Sequence, residues 1–230
     1  MQALNGSSKI LIAIQIAALA LVLGGFGRSF AAEPSKVSPD EALRRLIQGN
    51  ARFVAGHLTH AGPEEIAEAR GAVSKGQNPF AVIVGCSDSR VGPEIVFDQG
   101  LGDLFVVRTA GEVVDAAALG SIEYAVEHLG STLILVLGHE RCGAVAAAVA
   151  GAKEPGHIGA VLDAIQPAVK QTKGQPGDPV ENAVRAQALD VAKQLEAAKP
   201  ILAERAESGK LKIVAARYDL GTGKIELLNR

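Results

Sequence analysis

The sequence predicts a single α/β domain: a mostly parallel central β-sheet flanked by helices, with an antiparallel edge strand from a C-terminal hairpin. Three observations predict it. Short apolar runs rich in β-branched residues alternate with longer amphipathic stretches. The runs lack polar alternation, as strands buried on both faces do. Near the C terminus, two further runs flank Leu220-Gly221-Thr222-Gly223, a tight-turn signal.

The chain has 230 residues, room for one sizeable core. Aromatic residues make up 3% and Trp is absent, so Ala, Val, Leu and Ile must build that core. The formal charge is −2, and no basic stripe interleaved with aromatics is present, which argues against a nucleic-acid partner.

Residues 1–31 read as a secretory signal peptide. Lys9 precedes Ile10 to Leu23, apolar except for Gln15, and Ser29-Phe30-Ala31 supplies the small residues for cleavage after Ala31. The apolar stretch is shorter than the ~20 residues of a spanning helix. An uncleaved anchor is the alternative. The reading leaves residues 32–230 as the folded domain, in the periplasm or secreted, with no stable membrane insertion once the leader is gone. No twin-arginine pair is present, so the general secretory route is expected.

Glu33 to Val37 is a polar linker. Ser38-Pro39-Asp40-Glu41 opens a helix, with Ser38 as N-cap, Pro39 first inside, and Glu41 where a capping box places its acid. Leu43, Leu46 and Ile47 recur at helical spacing. Pro63 to Val73 is a second helix. Pro79 to Val84 is the first buried strand, which Gly85 should end. Pro93 to Phe97 is a short helix or turn, and Leu104 to Arg108 the next strand. Ala116 to Leu129 is a helix with Leu119, Ile122, Ala125, Val126 and Leu129 on one face. Thr132 to Leu137 is a strand ending at Gly138. Cys142 to Ala150 and Ile158 to Val169 are helices, the latter kinked or shortened by Pro167. Val180 to Ala198 is a long helix, and Pro200 starts a short one. Leu211 to Tyr218 and Lys224 to Leu228 form the hairpin.

Two strand ends organise the chain. One leads into Gly85-Cys86-Ser87-Asp88-Ser89-Arg90, the other into His139-Glu140-Arg141-Cys142-Gly143. In open α/β sheets ligands bind beyond the carboxyl ends of strands, where strand order reverses. Two such ends side by side bring Cys86, Asp88, His139 and Cys142 to one point. Two sulfurs, an imidazole and a carboxylate are donors that zinc takes. In an exported protein the bland alternative is one Cys86–Cys142 disulfide. That bridge leaves Asp88, Arg90 and His139 without a shared purpose.

These two motifs, with Gly76-Gln77-Asn78-Pro79, Phe105-Val106-Val107-Arg108 and Ala118 to Leu129, resemble the β-class carbonic anhydrases over nearly the whole mature chain. The residues read alone agree. Cys86, His139 and Cys142 give one Zn²⁺ per subunit three ligands and leave a fourth position open, the mark of a catalytic site. His139 and Cys142, three apart at a helix start, should face the same way. The helix end should favour the Cys142 thiolate. Arg90 can hold Asp88 off the metal by a bidentate pair. The plainer alternative for that pair is a surface salt bridge, worth little.

The resemblance implies further roles. Asp88 accepts a hydrogen bond from zinc-bound hydroxide and orients it toward carbon dioxide, and in a closed state becomes a fourth ligand. Gln77 donates to a carbon dioxide or bicarbonate oxygen, while Phe105 and Tyr124 wall the pocket. Plain core packing is the alternative for those two aromatics. The pocket is built across a two-fold interface, giving a homodimer or tetramer. Some relatives carry a Trp three residues before the first ligand, as part of a regulatory bicarbonate site. Ile83 stands there, so the resemblance is to the non-regulated, plant-like type. Thr109, where relatives carry Asn, is a departure in the site wall. The implied reaction is CO₂ + H₂O ⇌ HCO₃⁻ + H⁺. The alternatives are a carbon disulfide or carbonyl sulfide hydrolase on the same scaffold, and a non-catalytic exported zinc-binding protein. His57, His60, His128 and His157 read as solvated surface residues, any of which could relay protons.

Overall fold

The computed structural model describes residues 37–60 and 62–229. The leader read over 1–31 lies outside them. Five strands form one sheet: β1 (Ala81–Cys86), β2 (Leu104–Thr109), β3 (Leu133–His139), β4 (Lys212–Tyr218) and β5 (Ile225–Leu227). Their order is β2-β1-β3-β4-β5. The first three pairings are parallel, and β4 meets β5 antiparallel. The sequence expectation of a mostly parallel sheet with an antiparallel edge holds. Every residue of β1 and β3 is buried, which explains their unbroken apolar runs.

Side chains alternate between two covered faces. Val82, Val84, Ile134, Val136, Ile213 and Ala215 pack under α4 (Ala116–His128), α7 (Pro179–Glu196) and α8 (Ile201–Glu207). Ile83, Leu133, Leu135, Leu137 and Val214 pack under α1 (Pro39–Val54) and α3 (Pro93–Val96). The second helix, α2 (Pro63–Val73), buries none of its described side chains. A third apolar cluster gathers α5 (Gly143–Val149), α6 (Ile158–Thr172) and the start of α7 around Cys86 and Cys142.

Ser38 caps α1, its Oγ accepting from the Glu41 amide at 3.3 Å. Glu41 does not close a capping box: its carboxylate takes Arg44 and Arg45 instead. The buried stripe of α1 is Ala42, Leu46, Gly49 and Asn50, rotated toward smaller residues than Leu43 and Ile47. A Cβ on Gly49 would fall 1.7 Å from the Phe97 carbonyl oxygen, so only glycine lets α1 approach that closely.

Three local expectations are corrected. Gly85 and Gly138 do not end their strands. Gly85 pairs with Arg108 and Leu137, and Gly138 with Arg217, so both strands run on to their metal-type residue. Pro167 does not shorten α6, which continues to Thr172. Burial of Leu162, Ile165 and Ala168 outweighs the lost hydrogen bond, a cost of ~3 kcal/mol in an isolated helix.

Candidate metal centre

After β1 the chain crosses to β2 on one side; after β2 it returns to β3 on the other. The carboxyl ends of β1 and β3 therefore flank the switch point of the sheet. Cys86 is the last residue of β1 and His139 the last of β3. A turn through Glu140 and Arg141 follows, with Arg141 in the left-handed region at φ 53°. Cys142 then occupies the N-cap of α5. This turn, rather than helical spacing, brings His139 and Cys142 together.

The donor atoms of Cys86, His139 and Cys142 all lie within 4.8 Å of one another. All three residues are buried. The two sulfurs are unbonded and 3.9 Å apart. Two sulfurs at ~2.3 Å from a tetrahedral zinc stand ~3.8 Å apart, so the spacing suits a shared ion. His139 Nδ1 lies 3.0 Å from the Glu140 carbonyl oxygen, which fixes Nδ1 as the protonated nitrogen. Nε2 is left buried without a hydrogen-bond partner and free to ligate. The three residues thus fit a metal ion by donor type, spacing and an orphaned nitrogen.

The thiols titrate as a pair in the metal-free chain. A proton shared with Cys142 lowers the Cys86 pKa, helped by His139 and the Gly111 amide. The Gly111 N–H stands 3.3 Å from that sulfur. The same sharing, with burial, pushes Cys142 up, although the Val145 amide at the helix start favours its thiolate. The two sulfurs therefore share one proton, and a bound cation would expel it.

Asp88 stands beside the ligands, its Oδ2 3.8 Å from His139 Nε2. Arg90 grips it with Nε to Oδ1 at 2.9 Å and an Nη2 contact to Oδ2 at 2.7 Å, while the Arg90 amide also donates to Oδ1. This pairing holds the Asp88 carboxyl well below the usual carboxylate range. Arg108, on β2, donates to the main-chain carbonyls of Cys86 and Asp88, at 2.9 and 2.6 Å.

Glu112 is unusual. It follows Gly111 in a 3-10 turn, carries φ 44°, is 1% exposed, and neither carboxylate oxygen has a hydrogen-bond partner. Burial, then the Cys86 charge, raises its pKa well above the ordinary value. Gln187 on α7, also buried, donates to the Gly111 carbonyl at 3.2 Å. Sequence reading assigned no role to Arg108, Glu112 or Gln187. Arg108 lay in a segment that carried the resemblance, and Gln187 left a signal as a lone amide in the stripe Ala183, Val184, Ala188, Val191.

Comparison with known proteins then decides the family. The carbonic anhydrase family model matches residues 81–225. This chain belongs to the β-class carbonic anhydrases. Carbonic anhydrase 2 of Mycobacterium tuberculosis is 43% identical over 194 residues, covering 83% of this chain and 93% of that protein. A tetrameric β-carbonic anhydrase of Sordaria macrospora superposes with a TM-score of 0.63 at 26% identity, covering 82% of this chain and 97% of that one. The Coccomyxa β-carbonic anhydrase in complex with acetazolamide gives 0.62 at 26% identity, covering 82% and 86%. As a family member the chain is an enzyme, a carbonate dehydratase.

Within one chain of this carbonic anhydrase, the remaining candidates stand apart from the metal-type cluster. Gln77 is exposed ahead of β1, at the opposite end of that strand from Cys86. At ~3.3 Å per residue the strand alone spans ~17 Å. Phe105 pairs with Val82 in the amino-terminal half of the sheet and packs on the core. Tyr124 is 50% exposed on α4, its ring 5.1 Å from that of His128.

Proposed function

We propose that the chain hydrates carbon dioxide reversibly to bicarbonate and a proton at a zinc ion held by Cys86, His139 and Cys142. One observation carries this reading: the Asp88 carboxylate, its Oδ2 3.8 Å from His139 Nε2, is paired with Arg90 and stands outside the group of three donors, which would leave one position of a bound ion to solvent. Zinc bound there would supply a Lewis acid that lowers the pKa of water and so makes it a better nucleophile.

The protein's own groups do the rest. Asp88 accepts a hydrogen bond from the incoming water and turns its lone pair toward the carbon of the substrate. Arg90 keeps Asp88 ionised and off the fourth position. The Glu140 carbonyl fixes the His139 tautomer, and the Gly111 amide steadies the Cys86 sulfur. The apolar cluster of α5, α6 and α7 dries the inner side of the site. Two thiolates and a neutral imidazole cancel the charge of Zn²⁺, so ionisation of water there needs alkaline pH or help from neighbours.

The copies of Gln77, Phe105 and Tyr124 carried by a second subunit complete the pocket in a homodimer or a tetramer of two dimers. Their distance from the site within one chain supports that arrangement, as does the tetrameric Sordaria relative. The apolar leader supports export to the periplasm or medium, with the mature chain beginning near Ala32. Stopped-flow CO₂ hydration with metal analysis tests the reading. A rate well above buffer with about one zinc per chain is expected. A zinc-loaded protein with no rate above buffer would overturn it.

A further inference from the structure

Two arginines flank Asp88, and the reaction as proposed uses only Arg90. Arg90 holds the carboxylate. Arg108 holds the backbone: its Nε donates to the Cys86 carbonyl and its Nη2 to the Asp88 carbonyl, at 2.9 and 2.6 Å. Charge-assisted hydrogen bonds from one rigid guanidinium to two carbonyls fix their relative orientation. Arg108 comes from β2, where its Cα partner is Gly85, so it is anchored on the sheet rather than on the loop it grips. The loop has few other ties. Ser87 donates to Thr109, and Val91 to Asp88, through main-chain bonds at 3.0 and 3.1 Å. Arg90 adds a 3.4 Å contact to the Arg141 carbonyl. The Asp88 amide also faces the Cys86 sulfur, which leaves the Asp88 carbonyl to Arg108 and the Val91 amide.

A carboxylate is itself a zinc ligand type, and Asp88 Oδ2 stands only 3.8 Å from His139 Nε2. A small rotation about the Cys86–Asp88 backbone would carry it toward the donors. We propose that Arg108 is a positioning residue that clamps the Cys86–Asp88 backbone to β2 and so keeps the Asp88 carboxylate beside the open corner instead of in it. This rests on the carbon dioxide reading for its kinetic consequence, but not for its structural one.

The test uses Arg108→Gln and Arg108→Lys in the full chain. Lys keeps the charge and reaches one carbonyl, so it should recover part of what Gln loses. In the metal-free protein, hydrogen exchange of the Arg90 and Val91 amides should quicken in Arg108→Gln, while the β3 amides are unchanged. In the zinc-loaded protein, kcat should fall on the order of tenfold to a hundredfold, as small misplacements of a reacting group do, with KM changed much less. With Asp88→Asn already in place, Arg108→Gln should cost no more than about twofold further, because the two act through one another. Unchanged exchange at Arg90 and Val91, or a kcat loss as large with Asp88→Asn as without it, would overturn the proposal. If the unmodified enzyme hydrates no carbon dioxide, the functional reading fails, and the exchange experiment still decides whether the clamp exists.

Discussion

At the scale of single residues, Asp88 and Glu112 are two acids with opposite environments. Asp88 is pulled down by Arg90 and stays ionised throughout the working range. Its proposed task is to accept a hydrogen bond, so removing the charge should cost rate and not metal. Asp88→Asn is expected to lose about 10²–10³-fold in kcat, within the usual range for a positioned acid–base group, with zinc content unchanged. Stopped-flow kinetics beside metal analysis checks this. Glu112 is pushed up by burial. A group whose pKa rises on folding favours the fold below its unfolded pKa, and that benefit is lost as pH rises toward the folded value. Glu112 therefore burdens the fold increasingly above about pH 4.5, its ordinary value. Glu112→Gln should stabilise the metal-free protein at pH 8, by about 1–3 kcal/mol, and by less at pH 4. Denaturant unfolding at the two pH values measures the difference. The metal-type residues were legible because Cys, His and Asp sit just past buried strands. Glu112 was not: nothing in Thr109-Ala110-Gly111-Glu112 says that the backbone turns left-handed and drives the carboxyl inward.

At the scale of elements, the join between α1 and the segment after α3 matters most. Asp98, 2% exposed, binds Arg52 of α1 at 2.5 Å and accepts from the Thr59 and His60 amides. Burial alone would raise its pKa, but Arg52, His60 and Thr59 together hold it at about 2. Its contribution is thus present above the ordinary carboxylate pKa and fades as pH falls toward 2. Asp98→Ala leaves the Thr59 and His60 amides and the one-third-exposed Arg52 without their acceptor and should cost about 1–3 kcal/mol at neutral pH. Gly49→Ala, which drives a methyl into the Phe97 carbonyl, should destabilise as severely. Thermal or urea unfolding checks both. Strand and helix identities were legible from apolar period and from Ser38, Pro39 and Pro63. Their ends were less so. Glycine marks turns in isolation, but Gly85 and Gly138 sit inside ladders that tertiary pairing extends. Likewise Pro167 sits in a helix whose apolar face outweighs it.

At the scale of the whole molecule, the sheet carries the site at one end and the expected pocket residues elsewhere. Sequence resemblance grouped Gln77, Phe105 and Tyr124 with the metal-type residues. Within one chain they stand apart, and the sequence motifs do not encode that distance. Leu58, Ile66, Ile95 and Leu101 are all at least 39% exposed and line a cavity of about 350 Å³ between α2 and the α3 segment. An apolar surface of this kind suits contact with another copy. Sedimentation should give at least twice the mass of one chain. Metal binding belongs to this scale too. Zinc held as proposed by the folded donors, and not by the dispersed ones, should raise stability with its concentration and lose that gain on chelation.

The most direct measurement is zinc-edge X-ray absorption on the purified protein and on Asp88→Asn. The account predicts one zinc per chain, two sulfurs at ~2.3 Å and two lighter donors at ~2.0 Å, with the same shell in both proteins because solvent fills the last position. A shell without sulfur, a donor lost in Asp88→Asn, or a metal-free protein with no titratable thiol would contradict it.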